Sequence, residues 1–471
     1  MRKIGLIALA ALTGCTFGPQ MPQQGAAPLP AAYSETTGSL ARPAADAQAQ
    51  WWRAFRDATL DQILEQGLDG NLDIRQAQSR LAAAEAGIAS AGAGGIPALT
   101  LGASSVATRE IGKMREKRST ERTSGYQLSA SWLVDLFGEV RSQIDSAEAA
   151  RDAARSGAEV ARLALISALA TNYVEARYQQ ELAAITARTV ASRRRTLALT
   201  RGLRQEGVSS GLEVSRTEEA VRMVEASQPL QEASFRRAAH RIATLTGQPA
   251  ATLTPLLDKA ATQPTPSFTA DAGAPADLLR NRPDIRRAEQ EYLGSLADIG
   301  FAWSQLFPSV TLSGSITPSY VKTNAASGNL TTWSFGPQLK LPIFDGGRLY
   351  ANVKIAVARA HEKQAAWRAA VLTAVEEVEN ALVTYRREAA ALARTQARVQ
   401  AAGRSAERAP SPVREGLSSV FEMLDAERQL YDAQSALAQS RRDLALQYIA
   451  LNVALGRGLS GPGRDDAAAR R

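Results

Sequence analysis

The sequence contains one unit twice, and this duplication limits the folds that the chain can adopt more than any other feature. NLDIRQAQ and RPDIRRAE are near copies, in which Asp73 and Asp284 are separated by 211 residues. QEGVSSGLEV and REGLSSVFEM are a second pair, in which Gly207 and Gly416 are separated by 209 residues. Because the separation hardly changes along the chain, we expect both copies to contain the same elements in the same order.

Each copy begins with a helical segment that is followed by two strands. The helical segments, 71–95 and 281–306, have alanine and charged residues at helical spacing. In the first strand, Leu99, Leu101 and Ala103 alternate with polar or small residues, which is typical of a strand with one apolar and one polar face. A length of about 10 residues suits a tilted membrane strand. Strands of a soluble sandwich have the same pattern, so the strands alone leave both interpretations open.

Two long stretches without proline follow the strands. Residues 138–201 and 346–409 are rich in alanine, arginine and glutamate, which favour helices, and such a helix is about 95 Å long. Glycine and proline end each stretch, and returning helices are predicted at 211–246 and 418–456. In each copy the first helical segment and the returning helix together match the long helix in length. The sequence therefore predicts a long antiparallel helical pair, with a β-hairpin at one end and a helical turn at the other.

Two such units give the chain four strands. A transmembrane barrel needs about eight strands or more, and an unpaired strand edge in lipid is costly because its backbone groups have no hydrogen-bond partners. The predicted fold is therefore mostly α with a small β part, built as a duplicated unit of helical hairpin and β-hairpin. If the strands lie in a membrane, the chain has to oligomerise in order to close a barrel.

The N-terminus has the layout of an exported lipoprotein. Residues 1–14 combine two cations with a short apolar run, as in a signal peptide, and the run is shorter than the roughly 20 residues of a membrane-spanning helix. LTG directly precedes Cys15, the only cysteine, and resembles a bacterial lipobox. The resemblance implies lipidation of Cys15 by acyl chains such as palmitate. Because Thr16 rather than aspartate follows, it also implies the outer membrane of a Gram-negative cell.

Composition argues against several other functions. Lys and Arg total 55 against 47 Asp and Glu, without a basic-aromatic cluster, so no nucleic-acid partner is expected. The two histidines, His240 and His361, lie in helical runs, and neither a Gly-rich phosphate loop nor a nucleophile motif occurs. We therefore predict no enzyme, cofactor or metal site. The predicted organisation is a signal peptide at 1–14, a lipidated extended tether at 15–50, a first repeat at 51–250, a linker at 251–275, a second repeat at 276–460 and a flexible tail at 461–471.

Several segments resemble the TolC-like and OprM-like outer-membrane efflux channels, in particular their lipoprotein branch of the NodT type. They are WWRAFRDATLDQIL, NRPDIRRAEQEY, FGPQLKLPIFDGGRL, LDAERQLYDAQ and LNVALGRGL, in this order along nearly the whole mature chain. The resemblance implies a homotrimer, in which a trimeric α-barrel is joined to a 12-stranded transmembrane β-barrel with four strands from each chain. It also implies the exit duct of a tripartite multidrug efflux pump. Its partners would be a periplasmic adaptor (membrane fusion protein), an inner-membrane efflux transporter of the RND type and outer-membrane lipid.

The same resemblance assigns functional residues. In the family, two helical turns of each chain dock the adaptor at the periplasmic tip, and acidic side chains narrow the closed tip. The corresponding turn residues are Gly207, Val208, Ser209, Gly416, Leu417 and Ser418. The corresponding gate residues are Glu422 and Asp425, whose spacing of three places them on one helix face. Helix C-caps and an ordinary solvated face are the alternatives. SPVREG stands where the family often has a tyrosine, which puts a gate lock by that tyrosine in doubt.

Two other functions stay open from the sequence. One is the exit duct of a type I protein secretion system, which would be encoded beside a transporter ATPase. The other is a lipid-anchored periplasmic helical scaffold without a pore, which would not conduct ions in a planar bilayer. The resemblance implies a wide conduit, which leaves the selection of exported substrates to the pump.

Overall fold

A computed structural model describes residues 33–34, 50–110, 119–266, 275–414 and 418–459. The predicted signal peptide, the lipidation site Cys15, the turn residues Gly416 and Leu417, and the predicted tail at 461–471 lie outside the described residues. From the predicted tether, Tyr33 is buried, and the N–H of Ser34 donates to Glu379 at 2.6 Å.

Both repeats have the predicted order of elements. The first repeat follows a 3₁₀ turn at Trp51–Phe55 and contains α1 (Ala58–Gly70), α2 (Leu72–Ala93), β1 (Ala98–Glu110), β2 (Ser119–Val134), α3 (Glu139–Gln205), α4 (Gly211–Glu225) and α5 (Gln228–Leu245). The helix α6 (Ala250–Leu257) lies between the repeats. The second repeat follows a 3₁₀ turn at Pro275–Asp277 and contains α7 (Leu278–Asn281), α8 (Pro283–Ser304), β3 (Ser309–Lys322), β4 (Ser327–Lys340), α9 (Arg348–Arg408), α10 (Pro410–Arg414) and α11 (Val420–Ala454). In the described part of the chain, no helix is both long and apolar enough to cross a membrane.

The first returning helix differs from the prediction of one continuous helix over 211–246. It is divided into α4 and α5, with Ala226 and Ser227 between them. Pro229 is the second residue of α5, and because proline has no N–H it cannot donate to a carbonyl one turn earlier. The second returning helix, α11, contains no proline and is continuous.

The four strands form one antiparallel sheet in the order β1-β2-β3-β4. The register places Leu101, Leu128, Ile316 and Trp333 in one row across the sheet. The neighbouring row contains Thr100, Ser129, Ser315 and Ser334. Because neighbouring residues of a strand point to opposite faces, one face is apolar and the other carries hydroxyl groups at this level. The alternation predicted from the sequence is confirmed.

The chain divides into two compact units. One unit contains the sheet together with parts of the helices beside it, Ser79–Arg155 and Arg287–Ala369. Within it, Phe137 stacks on Phe307 with ring centroids 5.0 Å apart, and Tyr292 stacks on Trp367 at 6.0 Å. The first contact joins segments from the two repeats inside this unit, and the second joins two helices of the second repeat.

The second unit is helical and contains the largest apolar core. Trp51 and Phe55 contact the ring of Tyr448 at centroid distances of 5.9 and 5.5 Å. Arg177 is fully buried among these helices and donates to the carbonyls of Leu257 and Lys259 at 3.2 and 2.7 Å. The buried guanidinium therefore holds the segment that follows α6.

Each returning helix ends in the same way. Gly247 and Gly456 have φ of +71° and +68°. A Cβ at either glycine would lie about 2.5 Å from a carbonyl oxygen, that of Gly70 or that of Asn281 respectively. Only glycine therefore fits without strain. In the first repeat, Nδ2 of Asn71 donates to the carbonyl of Leu245 at 2.8 Å. The second repeat uses Arg282, which donates to the carbonyl of Ala454 at 3.1 Å and to Asp284 and Glu377 at 2.7 and 2.5 Å.

Candidate docking and gate site at the helical turns

The first helical turn, at the end of α3, is a Schellman motif. Gly207 has φ of +77°, a left-handed conformation that glycine adopts without steric cost. The N–H of Val208 donates to the carbonyl of Leu203 at 2.9 Å, and that of Gly207 donates to Arg204 at 3.1 Å. These bonds satisfy the last carbonyls of the helix. Gly207 is therefore a helix C-cap, and the side chain of Val208 is 64% exposed at the turn.

A capping box begins the next helix, α4. The hydroxyl of Ser210 accepts from the N–H of Glu213 at 3.2 Å, and the Glu213 carboxylate accepts from the N–H of Ser210 at 2.7 Å. The hydroxyl of Ser209 also donates to this carboxylate at 2.8 Å. The Ser210 N–H and then the Ser209 hydroxyl lower the pKa of Glu213. The box fixes the direction in which the chain leaves the turn.

The second turn repeats these contacts where the structure describes it. Ser419 is the N-cap of α11, and its hydroxyl accepts from the N–H of Glu422 at 3.4 Å. The hydroxyl of Ser418 donates to the Glu422 carboxylate. All three residues stand 209 positions after their counterparts in the first turn, so Glu422 corresponds to Glu213. The carboxylate of this predicted gate residue therefore contributes to the start of its own helix.

Asp425, one turn further along α11, has partners in the same chain. Its carboxylate accepts from Arg428 and from Gln429, each at 2.6 Å. Arg428, followed by Gln429, holds the pKa of Asp425 below its usual range. Arg428 also lies 3.5 Å from Asp432. Asp425 and Asp432 thus share one guanidinium on this exposed stretch of α11, so the pair of carboxylates is only partly compensated.

The structure places Glu422 and Asp425 on the exposed surface of the first two turns of α11, in agreement with their spacing. Arg428 is a residue that the sequence reasoning missed, although a spacing of three after Asp425 favours an ion pair on a helix. Within the described ranges, no group of three or more His, Cys, Asp or Glu could hold a metal ion.

A buried polar cluster joins α3, α4 and α11 near these turns. Oε1 of Glu427 accepts from the hydroxyls of Ser192 and Thr196 at 2.8 and 3.0 Å. Arg193 is 2% exposed and donates to the carbonyl of Ala220 at 2.6 Å. Burial lowers the pKa of Arg193, and the nearby charge of Glu427 opposes this change. The two opposite charges therefore stabilise each other in a site that excludes most water.

A cation–π contact links the two returning helices. The guanidinium of Arg216, on α4, lies 4.6 Å from the ring centroid of Phe421, on α11. Arg216 stands 209 positions before Asp425. The two repeats thus have opposite charges at corresponding positions, one over an aromatic ring and one paired with Arg428.

Comparison with solved structures defines the class of this protein. The outer-membrane channel OprN superposes with a TM-score of 0.85 over 94% of this chain and 99% of that chain, at 32% sequence identity. The chain therefore has the fold of an outer-membrane channel protein, which confirms the predicted fold class.

The chain belongs to the outer membrane efflux protein family, whose sequence profile matches residues 63–248 and 274–457. Nodulation protein T of Rhizobium leguminosarum bv. trifolii is 41% identical over 450 residues, which cover 95% of this chain and 95% of that protein. Outer membrane protein OprJ of Pseudomonas aeruginosa is 30% identical over 466 residues, 96% of this chain and 95% of that protein. The predicted family is confirmed, and it is a family of transport ducts rather than enzymes.

Proposed function

We propose that this chain forms the homotrimeric outer-membrane exit duct of a tripartite efflux pump. Three chains contribute twelve strands to one barrel, and their helices continue it as a periplasmic tunnel. The two turns of each chain bind a periplasmic adaptor, which connects the duct to an inner-membrane transporter of the RND type. The observation that carries this proposal is the four-stranded sheet with two chemically different faces.

The sheet has the properties expected of one third of a membrane barrel. On its apolar face Leu101 is 72% exposed, and large exposed apolar patches mark surfaces that contact lipid or protein. The row of hydroxyl groups on the other face suits a water-filled lumen. Strands of 13 to 16 residues measure about 43–53 Å at 3.3 Å per residue. A tilt of about 45° reduces this length to about 30–37 Å, enough to span the hydrocarbon core.

Adaptor docking is proposed for the two turns because the first is held by a Schellman motif and a capping box and exposes apolar side chains. Val208 and Leu212 both lie exposed beside the capping box of the first turn. Fixed exposed apolar side chains suit association with another protein. By sequence, Gly416 and Leu417, which lie outside the described residues, correspond to Gly207 and Val208, and Ser418 corresponds to Ser209. A chain with two related turns offers two related docking sites.

The gate proposal concerns Glu422 and Asp425. Around a threefold axis, three copies of each would form rings of negative charge, which are a recognised basis for cation selectivity. The pairing of Asp425 with Arg428 reduces the charge of its ring without removing that of Glu422. If these residues form only a solvated helix face, their replacement leaves ion selectivity unchanged.

Lipid anchoring is proposed for Cys15 from the lipobox resemblance. Each buried methylene of an acyl chain contributes about 0.8 kcal/mol to membrane attachment, so two or three chains form a firm anchor. Replacing Cys15 by serine should abolish the incorporation of labelled palmitate in cells. Labelling of the serine variant at the parent level would contradict this part of the proposal.

A pair of neighbouring residues tests the duct itself. Leu128 and Ser129 are adjacent in β2, on the apolar and the polar face respectively. A lysine on a lipid face costs about 2–4 kcal/mol at the bilayer midplane, whereas a lumen position tolerates it. Leu128→Lys should therefore reduce insertion into lipid vesicles, while Ser129→Lys should insert normally and shift the reversal potential towards anions in planar bilayers.

The same experiment separates the alternatives. A scaffold without a pore would show no conductance steps with the parent chain, and a reversed pattern for the two lysine variants would contradict the assignment of the faces. A type I secretion duct would also conduct. It is distinguished by loss of secretion of a protein, rather than increased sensitivity to toxic compounds, when the gene is deleted.

A further inference from the structure

A cavity of about 360 Å³ lies between α8 and α9, inside the unit that contains the sheet. Its volume falls within the range of small-ligand pockets. Further from the strands, the same two helices pack closely, since Tyr292 stacks on Trp367 and Nζ of Lys363 donates to Glu291 at 2.8 Å. The cavity is therefore a local gap beside a closely packed part of one helix pair.

The lining of the cavity combines one acid, one base and apolar side chains. Asp298 of α8 and Arg359 of α9 carry the charges, and Phe301 and Ile355 supply apolar surface. Within the described ranges, neither charged group belongs to an ion pair. Oδ1 of Asp298 accepts from the hydroxyl of Ser146 at 2.9 Å, which leaves Oδ2 for another donor. Both charged groups can therefore bind a further partner in the same cavity.

The first repeat does not reproduce this lining. At the offsets of 211 for α8 and 207 for α9, Asp298, Phe301, Ile355 and Arg359 align with Gly87, Ser90, Glu148 and Asp152. An acid, two apolar residues and a base thus replace a glycine, a serine and two acids. Because the packing of the helical hairpin is common to both repeats, it does not require these four side chains. The lining is a particular property of the second repeat.

We propose that this cavity binds a zwitterionic amphiphile. The guanidinium of Arg359 binds the anionic group, a phosphate or a carboxylate, because its planar donors match the oxygens of either. The free oxygen of Asp298 accepts from an ammonium group of the same molecule, while Phe301 and Ile355 contact its apolar body. A ligand of one charge sign would be repelled by one of the two charged residues, whereas a zwitterion satisfies both.

Two sources can supply a molecule of this chemistry. One is a phospholipid of the membrane, because Gln305 in the lining stands four residues before the start of β3 at Ser309. The other is a compound that the duct carries. Ile355 is 49% exposed, so the cavity is open on one side. The site lies within one chain, and the inference goes beyond the proposed duct by adding a binding site to it.

Lipid probes with and without an amine test the two charged contacts in the full chain. Lysophosphatidylethanolamine is zwitterionic, and lysophosphatidate has the phosphate and the acyl chain without the amine. Native mass spectrometry of the protein in a non-ionic detergent counts the bound molecules and gives an apparent Kd for each probe. We expect the parent to bind one lysophosphatidylethanolamine per chain, more tightly than it binds lysophosphatidate.

Two variants separate the roles of the charges. Arg359→Gln should weaken the binding of both probes about tenfold or more, as expected for the loss of a charge-assisted hydrogen bond. Asp298→Asn should remove the preference for the probe with the amine. The matched controls, Lys363→Gln and Glu291→Gln, break an exposed ion pair on the same two helices outside the cavity. They should leave both affinities within about twofold of the parent.

A third variant tests the cavity by volume instead of charge. Ile355→Trp places an indole ring in the cavity and should abolish the binding of both probes, whereas Ile355→Ala keeps the space open and should retain it. Circular dichroism and the mass of the assembled protein show that each variant is folded.

The outcomes separate the proposal from its alternatives. Equal affinities of the parent, Arg359→Gln and Ile355→Trp would overturn it, because the probes would then bind elsewhere on the chain. A loss in the control variants equal to that in Arg359→Gln would also overturn it, since binding would then follow overall charge. If two-chain phosphatidylethanolamine binds with the same dependence on the variants, a membrane lipid is the source. Binding of the one-chain probes alone would identify a carried compound instead.

Discussion

The corners that close the two repeats have the same backbone and different side chains. Gly247 and Gly456 both adopt positive φ, and in both corners a side chain donates to a carbonyl of the returning helix. That side chain is the neutral Asn71 in the first repeat, and in the second it is Arg282, which two carboxylates also hold. Both repeats need glycine because the backbone leaves no room for a Cβ at these positions. The polar side chains differ because either an amide or a guanidinium can donate to the carbonyl of the returning helix.

At the helical turns, too, some contacts occur in both repeats and others in one repeat. The cap formed by Ser210 and Glu213 has a counterpart in Ser419 and Glu422. Asp425, in contrast, has no acidic counterpart, because Arg216 stands at that place in the first repeat. Contacts that occur twice therefore indicate what the helical hairpin needs in order to fold. Contacts that occur once indicate where the second turn has acquired a property of its own.

The largest effect is expected at the corners. Arg282→Ala would leave Asp284 and Glu377 without their shared guanidinium, and we expect a loss of about 3 kcal/mol, the lower end for a buried pair because Glu377 is half-exposed. Asn71→Ala removes two hydrogen bonds, one to the Leu245 carbonyl and one from the N–H of Ile74, and should cost about 2 kcal/mol. The two variants are compared by thermal unfolding in detergent at one scan rate. Equal shifts in Tm would show that the ionic partners of Arg282 add nothing to the shared hydrogen bond.

A smaller difference is expected between Glu427 and its counterpart Glu218. Glu427→Gln keeps the side-chain shape but removes the charge next to the buried Arg193, so we expect a loss of about 1–3 kcal/mol. Glu218 lies in an exposed contact of 3.6 Å with Arg201, and Glu218→Gln should cost less than about 0.5 kcal/mol. The same thermal measurement applies. If Glu218→Gln lowered the stability more than Glu427→Gln, the glutamate of the first repeat would be the more important one for the helices beside the turns.

The order of elements was predictable because its signals are local. Alternating strands, helices without proline and terminal glycines can all be read in short windows, and the duplication allowed each segment to be checked against its copy. The division of the first returning helix was missed, although Pro229 stood in it. The cluster around Glu427 could not be predicted, because Ser192 lies 235 residues away and nothing local marks it as a partner. The role of Glu422 in its helix cap can be predicted, because Ser419 and Glu422 have the same spacing as Ser210 and Glu213.

Ion selectivity tests Glu422, which has an acidic counterpart in the first repeat, together with Asp425, which has none. If both acids line a pore, Asp425→Asn should reduce the cation-to-anion permeability ratio about two- to fivefold, since a unit charge acts on an ion 4 Å away with about 1 kcal/mol in water. The substitution also removes the negative charge that is paired with Arg428, so more of the positive charge of Arg428 remains at the tip. Glu422→Gln should reduce the ratio by a similar factor, because the hydrogen bond from the Ser418 hydroxyl leaves the charge of that carboxylate in place. Reversal potentials in planar bilayers under a salt gradient give both ratios. An unchanged ratio in both assembled variants would place these residues away from the constriction.

The smallest effect is a pH dependence that tests the pairing of Asp425 directly. Arg428 and Gln429 lower the pKa of Asp425, so its charge persists below the ordinary Asp value of about 3.9 and is lost only as the pH falls through the lowered pKa. The cation preference of the parent should therefore stay constant from pH 7 to 5. Arg428→Ala should raise this preference at pH 7, because a positive charge is removed. It should also move the loss of preference to higher pH, because the pKa returns towards its ordinary value. Reversal potentials between pH 7 and 4 measure both changes. A decline of the parent centred at pH 5 or above would contradict the prediction, since repulsion among three copies would then outweigh the contact with Arg428.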